Sequence, residues 1–273
     1  MRLWVNGGLV ADPYAPALAP LDHGVTVGDG VFETLKVVDG QPFAFTRHLE
    51  RLARSALGLN LPKPDLDQVR HAVAEVLDGW NQPTGRLRIT VTGGPAPLGS
   101  ERGNHGLTVM VAVAELAERP ATTALTTVPW VRNERGAMAG VKTTSYAENV
   151  LALAYAQERG SSEALFANTV GNVSEGTGSN VFVVLGGELY TPPLTAGCLA
   201  GVTRALVLEW FGGIEKDIPM SALEDAEEIF LTSTTRDVQA VHALDGRALT
   251  APGPVTVRAM ETFARQAAER TDP

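Results

Sequence analysis

Four lysines stand against eighteen arginines in this 273-residue chain, and Lys142 is the one placed for chemistry. It follows the apolar step Gly140-Val141 and precedes the small polar run Thr143-Thr144-Ser145-Tyr146, which reads as the opening of a helix over 145–158. Amine chemistry needs a lysine that can lose its proton near neutral pH, and surroundings of Met138, Val141 and the following helix would supply the desolvation that favours the neutral form. An anion site is legible further along. Leu199-Ala200-Gly201-Val202-Thr203 sets a glycine turn and a hydroxyl at the start of a helix over 202–210, where open N–H groups and the helix dipole favour negative charge. Arg51, on a helix over 47–57, is a forked donor for a phosphate, and Thr234 adds a hydroxyl from a loop at a strand end. Glu175, in the polar loop Ser174-Glu175-Gly176-Thr177-Gly178-Ser179-Asn180, is a carboxylate able to keep a ring nitrogen protonated.

The composition narrows the partners of such a site. With 44% hydrophobic and 19% charged residues the chain can bury a large core, as one big domain or two of ordinary size. A net charge of -9 and the lack of a basic stripe argue against nucleic acid or an anionic membrane, leaving a small molecule. The N-terminus shows no hydrophobic signal core and no apolar run nears the about 20 residues that span a bilayer, so a cytoplasmic location is expected. Cys198 is the single cysteine and cannot form an internal disulfide. The histidines at 23, 48, 71, 105 and 242 lie too far apart for ligand spacing, so no metal is expected. Gly28-Asp29-Gly30 begins like a dinucleotide fingerprint, but Glu33 stands where the third glycine belongs and a strand-like run follows in place of a helix.

The elements that must position these residues read as α+β in two domains. Strands are expected at 2–5, 31–38 and 41–45, with Asp39-Gly40 as a hairpin turn between the last two. Helices follow at 47–57, with Thr46 as N-cap, and at 65–77, and strands at 87–92 and 107–114 flank a Gly/Pro-rich loop, 93–106. The division expected is an N-terminal domain 1–115, a polar linker 116–121 containing Pro120, and a C-terminal domain 122–273. The second domain would hold strands at 125–128, 163–167, 181–184, 228–231 and 238–242, a Gly186-Gly187 hairpin, and helices at 145–158, 202–210 and 255–270.

In chain order, Gly28-Asp29-Gly30-Val31-Phe32-Glu33, Arg47-His48-Leu49-Glu50-Arg51-Leu52, Val141-Lys142-Thr143-Thr144, the run 174–180, Gly201-Val202-Thr203-Arg204 and Thr232-Ser233-Thr234-Thr235 form a series. The series resembles the class IV aminotransferases, the fold-type IV pyridoxal-phosphate enzymes. That resemblance implies a smaller N-terminal α/β domain and a larger C-terminal domain whose mixed sheet or barrel is flanked by helices. It also implies pyridoxal 5'-phosphate as cofactor, an amino donor and a 2-oxo acid acceptor as partners, and a homodimer in which loop 93–106 is an intersubunit element. Lys142 would form a Schiff base with the cofactor and then carry a proton between substrate and cofactor carbons. Arg51, Gly201, Val202, Thr203 and Thr234 would hold the phosphate, Glu175 the ring nitrogen, and Ser179 and Asn180 would lie beside the cofactor. Tyr146, four residues past the lysine, would share its helix face and bond the ring hydroxyl.

Substrate choice in this group rests on pocket residues, here Phe32, Lys36, Arg88, Leu98, Ser100 and Thr235. Typical D-amino-acid aminotransferases carry Arg-x-His in the loop after the strand near residue 90, and this chain reads Gly93-Gly94-Pro95-Ala96-Pro97-Leu98-Gly99-Ser100 there. Aminodeoxychorismate lyases resemble it at Phe32, Thr34 and Glu148 but lack a match in that loop and at Leu87. Branched-chain enzymes have Phe-Glu-Gly-x-Arg against Phe32-Glu33-Thr34-Leu35-Lys36. The expectation is a D-amino-acid aminotransferase with an atypical carboxylate site, for which Arg88, Arg102, Arg132 and Arg135 are the candidate cations, and with weak activity on R-configured primary amines. Elimination of pyruvate from aminodeoxychorismate, or branched-chain transamination, is the alternative.

Overall fold

Alternation of apolar side chains, interrupted at Phe32-Glu33, builds the first of two sheets. The computed structural model describes residues 1–273 and divides into two compact units. The first comprises Met1–Ala117, Val141–Tyr146 and Thr271–Pro273. It contains β1 (Arg2–Val5), β2 (Gly8–Val10), α1 (His23–Thr26), β3 (Gly30–Val38), β4 (Gln41–Pro42), α2 (Phe45–Gly58), α3 (Leu66–Leu77), β5 (Thr84–Thr92) and β6 (Thr108–Glu115). The sheet is antiparallel throughout, in the order β2-β1-β6-β5-β3-β4. Val31, Leu35 and Val37 of β3, with Leu87, Ile89 and Val91 of β5, face one way, and α2 and α3 cover them with Leu49, Leu52, Val69 and Val73. Truncating a fully buried leucine such as Leu52 to alanine would cost about 2 to 5 kcal/mol. Phe32, Thr34 and Lys36 point to the opposite face.

The second unit comprises Glu118–Gly140 and Ala147–Arg270. Its elements are β7 (Thr122–Arg132), α4 (Ala147–Gln157), β8 (Glu163–Asn168), β9 (Val173–Gly176), β10 (Asn180–Leu185), β11 (Glu188–Thr191), α5 (Val202–Trp210), β12 (Ile214–Glu215), β13 (Glu228–Ser233), β14 (Asp237–Leu244), β15 (Arg247–Ala248) and α6 (Pro254–Glu269). The sheet runs β12-β11-β10-β13-β14-β7-β8-β9, with β15 on β14. It is mixed, because β7 lies parallel to both β14 and β8. The Gly176 N–H donates to Ser179 O at 2.8 Å, so the chain turns directly from the last strand of the order into β10 and the sheet curls on itself. Leu165, Val181, Val183, Ile229 and Leu231 fill its core. No helix is long and apolar enough to cross a membrane.

Several expectations require correction. The strand at 41–45 is only Gln41–Pro42, because α2 already starts at Phe45 after a left-handed Ala44. Thr46 is therefore inside the helix, and Asp272 serves as the acceptor for its N–H (2.9 Å) and Oγ1 (2.6 Å). The helix expected from 145 begins at Ala147. Lys142 and Tyr146 consequently lie on an extended segment beside β3, where Phe32 N–H donates to Lys142 O (3.0 Å) and Thr144 N–H to Gly30 O (2.8 Å). The edge of β3 offers this stretch backbone partners that an isolated helix end lacks. Glu175 sits on strand β9 and not in a loop, paired along β8. Finally, the chain passes to the second unit within the expected linker, but 141–146 and 271–273 return to the first, so the division is not contiguous at 122.

Candidate active site

In the first unit the lysine is organised around one aromatic ring. Lys142 Nζ lies 4.3 Å from the centroid of Phe32, the Arg88 guanidinium carbon lies 3.4 Å from it, and Tyr146 meets the ring edge-on at 5.3 Å. Both cations are attracted to the ring by its quadrupole, which places an amine and a guanidinium together on a buried apolar plate. The Lys142 N–H donates to Ser55 Oγ at 3.2 Å, fixing the backbone from the α2 side. Gly28 completes this corner: its carbonyl accepts from Thr144 Oγ1 and Ser145 Oγ, both at 3.0 Å, and its φ of 69° is one that glycine adopts without strain.

On the other face of β3, Glu33 is fully buried. Its Oε1 accepts from Arg51 Nε at 2.8 Å and its Oε2 from Arg51 Nη2 at 2.7 Å, with His48 Nδ1 also 2.7 Å from Oε2. Burial alone would raise this carboxyl, but the Arg51 charge and hydrogen bonds, with those of His48, hold it at about 2. Burial also lowers His48 from its ordinary value, so the ring is neutral at neutral pH and donates through Nδ1–H. Arg51 thus emerges as a buried partner of Glu33, and its Nε and Nη2 face that carboxylate.

The four candidate arginines separate cleanly. Arg102 clamps Asp29 through Nε and Nη2 at 2.7 Å each and also donates to the carbonyls of Leu59 and Asn60 at the end of α2. Arg132 pairs with Glu148 at 2.9 Å and Glu175 at 3.3 Å, and Arg135 with Glu134 at 3.5 Å. Arg88 has no carboxylate partner; its polar contact is Thr90 Oγ1 at 3.4 Å. It opposes Thr34 across the β3–β5 pairing and so shares a face with Phe32 and Lys36. Leu98, 83% exposed, and Ser100 stay at the surface of loop 93–106.

In the second unit the start of α5 is open. Helix α5 starts at Val202 with Gly201 as N-cap, so no side chain covers the N–H groups of Val202 and Thr203, while Gly201 O accepts from Ala205. Asn180 Nδ2 donates to Leu199 O at 2.9 Å, and a Cβ at Gly201 would collide with Asn180 Oδ1, so this approach requires glycine. Glu175 Oε2 accepts from Leu199 N–H at 2.9 Å, which together with Arg132 fixes the carboxylate. Leu199 therefore joins Glu175, Asn180 and the α5 start. Thr234 stands in the β13–β14 turn, and the neighbouring Thr235 Oγ1 accepts from Arg119 Nη2 at 3.3 Å. An uncapped helix start of nine residues beside a positioned carboxylate fits a group that carries both a phosphate and a basic ring nitrogen.

Sequence reading passed over the Glu33–His48–Arg51 cluster and the buried pair Glu163–Arg236. A signal existed for the first: Glu33 is a charge on the apolar face of β3, and His48 and Arg51 are polar at i, i+3 on the buried side of α2. None existed for the second, whose members are 73 residues apart.

Known proteins resemble the chain over most of its length. The family model for amino-transferase class IV matches residues 30–244. A putative branched-chain-amino-acid aminotransferase of Methanocaldococcus jannaschii is 31% identical over 96% of this chain and 95% of its own length. A D-alanine aminotransferase of Bacillus licheniformis is 32% identical over 94% and 93%, and a bifunctional aminodeoxychorismate lyase / D-amino acid transaminase of Mycobacterium tuberculosis 32% over 89% and 91%. Among solved structures, the PLP-bound form of a Mycobacterium tuberculosis aminotransferase superposes with a TM-score of 0.88 at 29% identity, covering all of both chains. The glycine-capped helix, the fixed carboxylate and the ring-bound lysine thus lie within a match that spans most of the sequence, and the chain belongs to the class IV aminotransferases, fold-type IV enzymes that use pyridoxal phosphate.

Proposed function

We propose that this protein moves an amino group from a D-amino acid to a 2-oxo acid, and that Arg88 takes the substrate carboxylate in place of the Arg-x-His arginine absent from 93–100. The observation that carries this reading is the Phe32 ring with Lys142 Nζ and the Arg88 guanidinium both against it. An α-amino acid presents an amine and a carboxylate two bonds apart, and a guanidinium with no carboxylate of its own is a forked receptor for the latter. Lys36 at the D-amino-acid position and the D-alanine aminotransferase relative support the D-configured donor.

Bound pyridoxal phosphate supplies an aldehyde for an amine and a ring that draws electron density from the substrate carbon. Lys142 would hold the cofactor through Nζ, and as a free amine its nitrogen would carry the proton between substrate and cofactor carbons. Phe32 and Tyr146 form the aromatic wall beside that nitrogen, with Nζ 4.3 Å from the Phe32 centroid. Glu175 would accept from the ring nitrogen and keep it protonated, with Ser179 and Asn180 beside the cofactor. Gly201, Val202, Thr203 and Thr234 are assigned to the phosphate, with Arg51 as a further donor. Phe32, Lys36 and Thr235 are assigned to the substrate, and Leu98 and Ser100, exposed on loop 93–106, to the partner's site in a homodimer.

The test is the visible spectrum of the holoenzyme after D-alanine, D-glutamate or L-leucine is added without a keto acid. Conversion to the pyridoxamine form with release of pyruvate or 2-oxoglutarate is expected from the D-amino acids. Conversion by L-leucine alone would replace the reading with branched-chain transamination, and pyruvate released from aminodeoxychorismate without an acceptor would replace it with the lyase.

A further inference from the structure

The geometry points to Glu163 as the positioning residue that fastens two cofactor loops to one point inside the second unit. It rests on the reading in which Ser179 and Asn180 on one side, and Thr234 on the other, hold the cofactor. Glu163 opens β8 and is 2% exposed. Its Oε1 accepts from the Thr177 N–H at 2.8 Å and from Thr177 Oγ1, and its Oε2 accepts from Ser179 Oγ at 3.2 Å and Arg236 Nη2 at 2.9 Å.

Thr177 and Ser179 belong to the turn between β9 and β10, two residues from Glu175 on one side and adjoining Asn180 on the other. Arg236 ends the β13–β14 turn that carries Thr234 and Thr235. The two turns lie on neighbouring strands, because Asn180 pairs with Thr232, yet no backbone hydrogen bond between these turns is needed: the carboxylate joins them. A third attachment acts on the same residue, since Asn149 Nδ2 of α4 donates to Thr177 O at 2.8 Å. Gly176 allows the tight packing; a Cβ there would stand 2.6 Å from Ser179 Oγ and 3.2 Å from Glu163 Cγ.

The charge of Glu163 is what the arrangement uses. Four donors converge on two oxygens, three from the first turn and one, a guanidinium, from the second. A glutamine keeps the volume but turns one of those oxygens into an NH2 facing donors, so one turn or the other must let go. Glu163 sits outside the chemistry and acts through Ser179, Glu175 and Thr234, which makes cofactor affinity its readout.

Glu163→Gln, Arg236→Gln and Thr234→Val are compared with the parent by titrating each apoprotein with pyridoxal phosphate and following the visible band of the Lys142-bound cofactor, with apoprotein melting read in parallel. We expect the Glu163→Gln dissociation constant to rise at least tenfold and that of Arg236→Gln about fivefold. A Glu163→Gln protein that melts lower yet binds the cofactor within twofold of the parent, while Thr234→Val weakens it, overturns the inference and leaves the site assignment standing. Thr234→Val binding as the parent does would instead remove the reading on which the inference rests. If Glu163→Gln does not fold, Arg236→Gln, which leaves three donors on the carboxylate, decides by the same twofold limit.

Discussion

Each unit buries one glutamate against one arginine, and the two pairs are built for different tasks. Glu33 meets only side chains of α2, the forked Arg51 and the neutral His48, so its bonds tie a helix to a sheet. Glu163 meets a backbone N–H, two hydroxyls and a guanidinium from two turns, so its bonds tie loops to a sheet. The first arrangement resists unfolding of a whole layer. The second constrains segments that could move without the core melting. A buried ion pair is therefore read by what its partners are attached to, since desolvation offsets much of the attraction in either case.

The sharpest way to break the comparison is Glu33→Gln, which leaves Arg51 buried without its carboxylate. A loss of about 3 to 5 kcal/mol is expected, together with a fall in melting temperature of roughly 10 °C. Equal melting of Glu33→Gln and parent would mean that the pair does not join α2 to β3. The same cluster sets the response to acid. Glu33 is held at about 2 against an ordinary 4.5, so its contribution is complete above about 4.5 and is lost as pH falls toward about 2. His48, lowered from an ordinary 6.5 by burial, acts in the same direction, its contribution eroding as pH drops below 6.5. Thermal melts from pH 7 to pH 3 should show a steeper acid loss in the parent than in Glu33→Gln.

Arg88→Ala sharpens the contrast by touching the same unit without touching the pair. Loss of a charge-assisted hydrogen bond predicts a KM for D-amino acids raised about 10- to 100-fold with melting unchanged. Turnover of an R-configured amine lacking a carboxylate should persist in that variant, and an unaltered KM for D-alanine would exclude Arg88 as the carboxylate receptor. The smallest expected effect concerns Cys198. Burial, helped by the Glu175 charge, pushes its thiol up to about 12, so a thiol reagent at pH 8 should modify it only after the protein is unfolded.

Local periodicity explains which parts of this were legible in the sequence. The apolar alternation of β3 and β5, the stripe of α3 and the glycine start of α5 all encode their partners within a few residues, and α5 runs over 202–210 as the spacing predicts. Lys142 itself was legible by type and neighbourhood, but its surroundings were not. Thr143-Thr144-Ser145 reads as a helix cap, and the competing partner, the backbone of Gly30 and Phe32, lies more than a hundred positions away. The sorting of the arginines was equally hidden, because whether Arg102 or Arg88 is left facing a substrate depends on where Asp29, Glu148 and Glu175 are carried by the fold.

The return of residues 141–146 to the first unit has a consequence for biosynthesis. A chain emerging from the ribosome at about 5 to 20 residues per second completes the first sheet well before it has made the lysine. Phe32 must then wait, its ring met by Arg88 of β5 but not by Lys142 and its backbone N–H unpaired by Lys142 O, while the strand β7 is translated. Docking of 141–146 closes a loop that runs through the second unit, so Lys142 acquires its surroundings late, after the sheet of the first unit already exists.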